Sequence, residues 1–434
     1  MINILIILIG KFISKFSTVF NFGHGSTWPG HIALKLNKNF IKDHFLNSST
    51  KIVIICGTNG KTTTAKLIKT ILKQNHKKLF LNSSGANLLN GIASSVILSS
   101  SLFKNANYDF AIFEIDENSL PEINKTLNPD YIIALNLFRD QLDRYGEIDT
   151  ITKKWKESFK NLPSKSVLIL NADDPQIAYL GNNLKNKKLY FGLSEKNNNK
   201  ISHGADSIYC PECFNPLVYE NVYFSHLGNW KCQNCKFKKP KTDISTLPYF
   251  PLAGEYNKYN VLAAVLLARN ENIKDEVIQK ALKSFKPAFG RQEELVFKEK
   301  KIKIFLSKNP TGFNQSLSTI NSLKATDILI VLNDRIPDGL DVSWIWDTNA
   351  EKIITNFSNI VVSGDRCFDM ALRLKYAISS QFKIPNLKFR IEPNLKNAVN
   401  IALEKTNKNQ TLYILPTYSA MLEVRKLIIG KKIL

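Results

Sequence analysis

The sequence has little of what marks a secreted or membrane-spanning protein. It has six cysteines in 434 residues, and four of them form two C-x-x-C pairs, so we expect a reducing compartment, the cytoplasm, rather than a disulfide framework. The apolar run at residues 2–9 is too short to span a bilayer, and no leading basic region or small-residue cleavage site indicates a signal peptide. We expect residues 1–45 to form a helical segment that is either buried or lies on a surface, including the inner face of a membrane.

Acidic residues are also scarce: 37 Asp and Glu stand against 59 Lys and Arg, which gives a formal net charge of +22. Such an excess suits a phosphorylated or membrane-bound partner, or nucleic acid. However, Lys and Asn are abundant along the whole chain, which is typical of a general compositional bias. No aromatic RNA-binding motif accompanies the lysines, so we expect no nucleic-acid partner.

Apolar strand-like runs alternate with helical patterns from residue 51 onward, which predicts an α/β fold with largely parallel sheets. The strands are predicted at 52–56, 110–115, 131–136, 167–171 and 189–191, with a helix at 63–74. A second series at 302–306, 328–333, 360–363, 388–391 and 412–415 predicts a smaller α/β domain. We therefore predict a central domain at 46–292, interrupted by an insert at about 205–242, and a C-terminal domain at 293–434.

A glycine-containing loop lies between the first predicted strand and the following helix. It consists of Gly57, Thr58, Asn59, Gly60, Lys61, Thr62 and Thr63. Its backbone N–H groups are expected to bind the phosphates of ATP, with Lys61 reaching the outer phosphates and the Thr62 hydroxyl binding Mg²⁺. The usual phosphate loop has glycine five residues before Gly60, where this chain has Ile55, so the loop is a shortened variant.

The insert contains the two C-x-x-C pairs, Cys210 with Cys213 and Cys232 with Cys235, separated by 18 residues. Four thiolates at this spacing can form a closed tetrahedral site, for which Zn²⁺ is the expected metal and iron an alternative. A closed site has no open position for substrate, so we predict a structural zinc ribbon. A nucleic-acid-binding ribbon is the alternative, because lysines crowd around the second pair.

The shortened loop resembles the ATP site of the Mur ligases, which join a carboxylate to an amine through an acyl phosphate. Further segments resemble that family in the same order: 113–117, 136–145, 170–175, 254–260 and 290–293. By this resemblance Glu114 binds Mg²⁺, and Asn257, Asn260 and Arg291 belong to the nucleotide site.

The chain departs from the Mur ligase pattern at two of these segments. Gln141 and Tyr256 replace two family histidines, and the first replacement puts a second metal site in doubt. Lys156 stands where some members have a carbamylated lysine, although its neighbours suggest a solvated basic face instead.

Within the family the chain resembles the MurT subgroup. Only 56 residues precede Gly57, fewer than the uridine-nucleotide-binding domain of other Mur ligases requires. The zinc-ribbon insert and the segments 307–310 and 338–347 are similar to those of MurT. The resemblance implies a central ATPase domain with a Rossmann-like C-terminal domain. It also implies ATP-dependent amidation of the D-glutamate α-carboxylate of lipid II to D-isoglutamine. The alternative is an amino-acid-adding ligase like folylpolyglutamate synthase.

Amidation needs ammonia, and a glutaminase that supplies it usually has a Cys–His pair. Four cysteines are assigned to the metal, Cys56 ends a buried strand, and Cys367 has no nearby His in the sequence. We therefore expect a separate glutaminase subunit. The resemblance implies a heterodimer with a GatD-like protein, in which Asp341 completes the partner's Cys–His pair.

Overall fold

The structure is a computed structural model that describes most of the chain. The described residues are 2–19, 27–45, 49–82, 86–100, 108–139, 148–194, 206–352, 354–379 and 389–430. They divide into two compact units, the first extending to Phe285 and the second beginning at Lys286, with residues 252–254 also in the second. Each unit contains a six-stranded sheet of its own.

The sheet of the first unit is entirely parallel. Its strands are β1 Lys51–Cys56, β2 Leu79–Leu81, β3 Phe110–Glu114, β4 Tyr131–Ala134, β5 Val167–Asn171 and β6 Lys188–Phe191. They lie in the order β2-β3-β1-β4-β5-β6. The three central strands are apolar and almost wholly buried, as expected where both faces of a parallel sheet are covered. All five strands predicted in this region are confirmed, whereas the sequence pattern does not predict the short edge strand β2.

Helices surround this sheet. They are α1 Ile2–Val19, α2 Trp28–Leu36, α3 Phe40–Phe45, α4 Lys61–Gln74, α5 Leu89–Ser99, α6 Leu120–Leu127, α7 Ile148–Lys160, α8 Pro175–Leu180, α9 Glu255–Asn270 and α10 Asp275–Lys283. The helix predicted at 63–74 is confirmed as α4. Helix α2 approaches α5 so closely that a Cβ at Gly30 would lie 1.8 Å from the Asn90 carbonyl oxygen. Among the described residues no helix is both long enough and apolar enough to cross a membrane.

The insert contains an antiparallel hairpin formed by β7 Leu217–Phe224 and β8 Leu227–Cys232. The hairpin packs on the end of β5. Trp230 is buried and its indole Nε1 donates to the Ala172 carbonyl at 3.1 Å, while the Gly228 amide donates to the Asp173 carbonyl at 3.0 Å. The insert has only a small apolar cluster of its own, which includes Trp230 and is joined by Ala178 of α8.

The second unit has a mixed sheet. Its strands are β9 Arg291–Phe297, β10 Lys300–Phe305, β11 Asp327–Val331, β12 Asn359–Ser363, β13 Phe389–Ile391 and β14 Thr411–Pro416. They lie in the order β13-β12-β11-β14-β10-β9, and β9 alone among these described strands is antiparallel to its neighbour. The predicted strands match β10 to β14, except that residue 388 lies outside the described residues. Strand β9 is half exposed and escapes prediction because its sequence, RQEELVF, is mostly polar.

Helices of the second unit lie between these strands. They are α11 Pro310–Ser322, α12 Cys367–Ser379, α13 Leu395–Lys405 and α14 Tyr418–Ile429, with 3₁₀ turns at Ser343–Asp347, Ala350–Lys352 and Ile354–Asn356. The connection between β11 and β12 is therefore irregular, and it contains the segment 338–347 singled out in the sequence.

Candidate active site

The predicted phosphate loop lies between β1 and α4, as the sequence indicates. Gly57 and Gly60 have φ angles of +134° and +94°, a region that residues with a Cβ rarely adopt. A Cβ at Gly60 would also lie 2.1 Å from Asn260 Oδ1. The loop thus needs both glycines, and it leads into the N-terminus of α4, where N–H groups and the helix dipole favour an anion.

Asn136, which follows β4, fixes the shape of this loop. Its side chain accepts a hydrogen bond from the Asn59 amide at 2.9 Å and donates to the Asn59 carbonyl at 3.0 Å. Its own carbonyl accepts from the Thr58 amide at 2.9 Å. The sequence gives Asn136 only as the first residue of a family segment. Its place directly after the strand beside β1 is the signal that could have indicated this role.

The Lys61 ammonium is held at the loop. Its Nζ donates to the carbonyls of Gly57 and Thr58, the latter at 3.3 Å, and lies 3.4 Å from Glu117 Oε1. The two charged side chains are only 12% and 6% exposed. The Lys61 ammonium is thus a positive charge in a place where little water screens it, and the Glu117 carboxylate helps to hold it there. Sequence reasoning assigns Lys61 correctly to the loop but does not identify Glu117 as its partner.

Thr62 and Glu114 meet at the carboxyl end of the sheet. The Thr62 hydroxyl donates to Glu114 Oε2 at 2.8 Å, and the Glu114 side chain is buried. Asn82 fixes the backbone of Glu114 by accepting from its amide at 2.8 Å and donating to its carbonyl at 3.1 Å. A hydroxyl beside a carboxylate is the oxygen donor set that Mg²⁺ prefers, so these residues fit the metal.

Two asparagines of α9 contact the same region. Asn260 Oδ1 lies 3.4 Å from the Thr64 hydroxyl, and its Nδ2 donates to Asn257 Oδ1 at 3.2 Å. The structure therefore brings both predicted asparagines close to the phosphate loop. Arg291 is the first residue of β9 in the second unit, and its part in nucleotide binding stays a prediction.

Two buried aspartates follow β5 in the segment 170–175. Asp174 caps α8 by accepting from the amides of Gln176 and Ile177 at 2.9 and 3.3 Å. Asp173 accepts from the Tyr259 hydroxyl at 2.7 Å and lies 2.5 Å from Lys239 Nζ. Burial raises the pKa of Asp173, an effect that Lys239 opposes. Asp173 thus connects the insert and α9 to the parallel sheet.

Gln141 and Lys156 stand at the two positions where some Mur ligases have a metal-binding histidine and a carbamylated lysine. Gln141 lies outside the described residues. Lys156 is partly buried at the end of α8, where its Nζ donates to the carbonyls of Tyr179 at 2.7 Å, Leu180 at 3.3 Å and Asn182. Burial lowers its pKa to about 8. The interpretation as a solvated basic face is therefore wrong, because the free amine caps a helix with its three N–H donors.

The four cysteines of the insert come together as predicted. All four Sγ atoms lie within 4.8 Å of one another, and the Cys210–Cys235 and Cys213–Cys232 pairs are each 3.5 Å apart. A tetrahedral metal with bonds of about 2.3 Å requires sulfur atoms about 3.8 Å apart. The donor set and its spacing therefore fit a closed S₄ site.

The remaining cysteines lack the properties of a nucleophile. Burial raises the pKa of both the Cys56 and the Cys367 thiol, so neither forms a thiolate readily. Cys56 is fully buried and its Sγ lies 3.5 Å from the Ile133 carbonyl. Neither of these two cysteines therefore has the readily formed thiolate that glutamine hydrolysis requires.

The first two of the three aspartates in the segment 338–347 lie in contrasting settings. Asp338 is buried and accepts from the amide of Ser419 at 2.7 Å, and burial raises its pKa. Asp341 is exposed and accepts from the amide and the hydroxyl of Ser343 at 2.7 and 2.9 Å. These hydrogen bonds lower the pKa of Asp341, so it remains a carboxylate at neutral pH.

Comparison with known proteins agrees with this geometry. The description "Mur ligase middle domain" matches residues 55–268, and "MurT ligase C-terminal" matches residues 306–421. A pseudomurein peptide ligase type C from Methanothermus fervidus has the same fold, with a TM-score of 0.65 and 24% identity over 90% of this chain and 81% of that one. The fold is thus that of the Mur ligases, a class of ATP-dependent ligases.

Two curated proteins narrow the class. One, from Streptococcus pneumoniae, is 33% identical over 95% of this chain and 94% of its own length. The other, from Staphylococcus aureus, is 34% identical over 81% of this chain and 83% of its own. Both are named lipid II isoglutaminyl synthase (glutamine-hydrolyzing) subunit MurT. The chain belongs to the MurT family.

Proposed function

We propose that this protein is the ligase subunit of a lipid II isoglutaminyl synthase. In this role it uses ATP to amidate the D-glutamate α-carboxylate of the lipid II stem peptide. The observation that carries the proposal is the Thr62–Glu114 pair, 2.8 Å apart beside a preformed phosphate loop, in a chain of the MurT family. The phosphate loop would bind the ATP that activates a carboxylate, and the names of the two relatives indicate that lipid II carries this carboxylate.

The residues suit acyl phosphate chemistry. Loop N–H groups and Lys61 would bind the ATP phosphates, and Thr62 and Glu114 would hold Mg²⁺, which offsets negative charge on the transferring group. A carboxylate oxygen of the acceptor bonds to the γ-phosphorus as the bond to ADP breaks. The ammonia lone pair then attacks the acyl carbon, phosphate leaves, and loss of a proton gives the amide. Asn257 and Asn260 would position the nucleotide beside the loop.

The nitrogen must come from a partner, which we infer to be a GatD-like glutaminase. Burial raises the pKa of the Cys56 and Cys367 thiols, and the other four cysteines form the candidate metal site. Asp341, in contrast, is an exposed carboxylate with no other catalytic role proposed in this chain. Completing the Cys–His pair of a second subunit is a role that suits an exposed and ionised carboxylate.

An apolar surface near this segment supports the docking of a partner. On α12, Phe368, Leu372 and Tyr376 follow one another at four-residue spacing and are 66%, 47% and 60% exposed. Trp346, in the 3₁₀ turn after Asp341, is 49% exposed and its ring centroid lies 5.7 Å from that of Tyr376. Exposed aromatics in one cluster are typical of a protein–protein contact.

Three finer assignments belong to the same proposal. The S₄ cluster and its hairpin are a structural zinc ribbon, because four thiolates complete the coordination of Zn²⁺. The second unit is the Rossmann-like C-terminal domain, for which the parallel order of β10 to β14 is support. A lipid-linked acceptor places the reaction at the inner face of the membrane, with the protein as a peripheral rather than a spanning component.

The test is reconstitution. Purified together with a glutaminase subunit and supplied with ATP, Mg²⁺ and glutamine, the protein should convert lipid II to its amide, detected by mass spectrometry of the stem peptide. Omitting ATP is the matched control and should leave lipid II unchanged. Unaltered lipid II together with glutamate addition to a folate would replace this proposal by the folylpolyglutamate synthase alternative.

A further inference from the structure

Helix α1 presents an unusual face to solvent. Between residues 2 and 16, where the structure describes the side chains, the exposed residues are Ile2, Ile4, Leu5, Leu8, Phe12, Lys15 and Phe16. All except Lys15 are large and apolar. An amphipathic helix on a protein surface normally turns such residues inward and its polar residues outward. The outward face of α1 is therefore apolar where a soluble protein's helix would be polar.

The opposite face of α1 is already used for packing. Ile6 and Ile7 are buried in the core of the first unit. A Cβ at Gly10 would lie 2.9 Å from Ile97 of α5 and 3.5 Å from Pro29 of α2, so the three helices are in close contact. Helix α1 thus packs on the first unit through one side and exposes its large apolar residues on the other side. Those exposed residues are therefore not part of an incompletely packed core.

Neighbouring helices extend the apolar face. Helix α2 runs antiparallel to α1, since Asn37 Nδ2 donates to Asn3 Oδ1 at 2.9 Å while Pro29 lies beside Gly10. Trp28 at the start of α2 and Leu36 at its end are 61% and 53% exposed. Tryptophan is enriched where protein meets the headgroup region of a bilayer.

The charged residues of α1 and α2 themselves are all basic, while one exposed carboxylate, Asp43 of α3, accepts from Asn37 Nδ2 at 2.8 Å beside the end of α2. Helix α1, INILIILIGKFISKFSTV, contains no acidic residue, and Lys15 is exposed on it. Lys35 and Lys38 are exposed at the end of α2. Apolar side chains flanked by lysines suit a surface that is apolar within and negative at its boundary.

We propose that α1 lies in the plane of a bilayer containing anionic lipids, with Leu5, Leu8 and Phe12 inserted among the acyl chains and Lys15 at the headgroups. The helix anchors the first unit without crossing the membrane. Such an anchor keeps the ATP site near an acceptor that is itself held by a lipid. This last consequence rests on the proposed function, but the lipid binding does not.

The experiment measures sedimentation of the purified full-length protein with vesicles, in the absence of ATP and lipid II. Wild-type protein should bind vesicles of phosphatidylcholine with phosphatidylglycerol more tightly than vesicles of phosphatidylcholine alone. Replacing Leu5, Leu8 and Phe12 together by Gln should weaken binding at least about tenfold, because three inserted apolar side chains are lost. Lys15→Glu should weaken binding to the anionic vesicles by about fivefold or more and leave the neutral vesicles unaffected.

A matched control uses two exposed apolar residues of the second unit. Val296 and Ile336 are 72% and 84% exposed, and replacing both by Gln should leave vesicle binding unchanged. Failure of the wild-type protein to bind, or equal binding by the triple variant, overturns the proposal. The proposal is also overturned if the wild-type protein is a dimer that binds no vesicles and the triple variant is a monomer, because the apolar face would then be a dimer contact. It is overturned as well if vesicle binding disappears when the glutaminase is added. Because no substrate is present, none of these results depends on whether the amidation activity exists.

Discussion

The two units place their candidate functional carboxylates in opposite environments. In the first, Glu114 is 5% exposed, its backbone is fixed by Asn82, and it accepts from Thr62 at 2.8 Å. In the second, Asp341 is exposed and accepts hydrogen bonds from Ser343, two residues further along the chain. One carboxylate is held by distant parts of the fold and the other by its own turn.

This difference indicates how the work is divided. A group that stabilises developing charge acts best when the fold has already fixed it and removed water around it. Glu114 meets that condition within this chain. Asp341 meets it only when another surface covers the turn, so we interpret the first unit as a self-contained half of the reaction and the second as a half that a partner completes.

The largest expected effect comes from Asp341→Asn. The amide keeps the shape of the side chain but loses the charge that would orient a histidine of the partner. Glutamine-dependent amidation should fall by about 10³–10⁴-fold. Activity with ammonium chloride as the nitrogen source should be unchanged, because the first unit is untouched. Steady-state amidation rates with the two nitrogen sources measure this difference.

Asp347→Asn is the matched control, since Asp347 is also exposed, at the end of the 3₁₀ turn at Ser343–Asp347. It should retain both activities. Equal loss in the two variants, or full glutamine-dependent activity in Asp341→Asn, would show that the second unit contributes no carboxylate to the partner's site.

The sequence predicts the first unit well because its signals are local. Buried strands of a parallel sheet are continuous apolar runs, and the loop at Gly57–Lys61 is a short motif that directly follows one of them. The two C-x-x-C pairs are equally local, and the four Sγ atoms converge as expected. Spacing alone is enough for these features, because the residues that define them are near one another in the chain.

Contacts between distant segments escape such reasoning. Asn136 fixes the phosphate loop from 77 residues away, and Lys239 reaches Asp173 from the insert. The apolar outward face of α1 is likewise unpredictable, because periodicity shows that a helix has apolar residues but not which face the rest of the protein covers. Lys156 is another example of a contact between distant segments. Its basic neighbours in the sequence suggest an exposed side chain, but its ammonium donates to a carbonyl of α8, 23 residues further along the chain.

Glu114→Gln gives the next largest effect and tests the first half of the comparison. Loss of the charge removes an expected Mg²⁺ ligand, so amidation should fall by about 10²–10³-fold with either nitrogen source. Glu122→Gln is the control, because Glu122 is exposed on α6 and the chemical change is identical. A defect confined to glutamine-dependent turnover would contradict the assignment of Glu114 to the phosphoryl transfer step.

The smallest effect on catalysis is expected from the metal cluster, and it decides whether the first unit is self-contained. Cys213→Ser should release one equivalent of bound zinc and lower the melting temperature by about 5 °C or more, because the insert has little core without the metal. Cys367→Ser removes a thiol outside the cluster and should retain the zinc.

The decisive quantity for the comparison of the two units is the amidation rate per folded molecule, measured well below the melting temperature. Lys239 and Tyr259 both contact Asp173, so the insert is connected to α9, whose Asn260 borders the phosphate loop. An unchanged rate means that this connection supports the fold alone. A rate that falls while the protein stays folded means that the zinc module also positions the nucleotide site. The first unit would then depend on a metal, as we propose that the second depends on a partner.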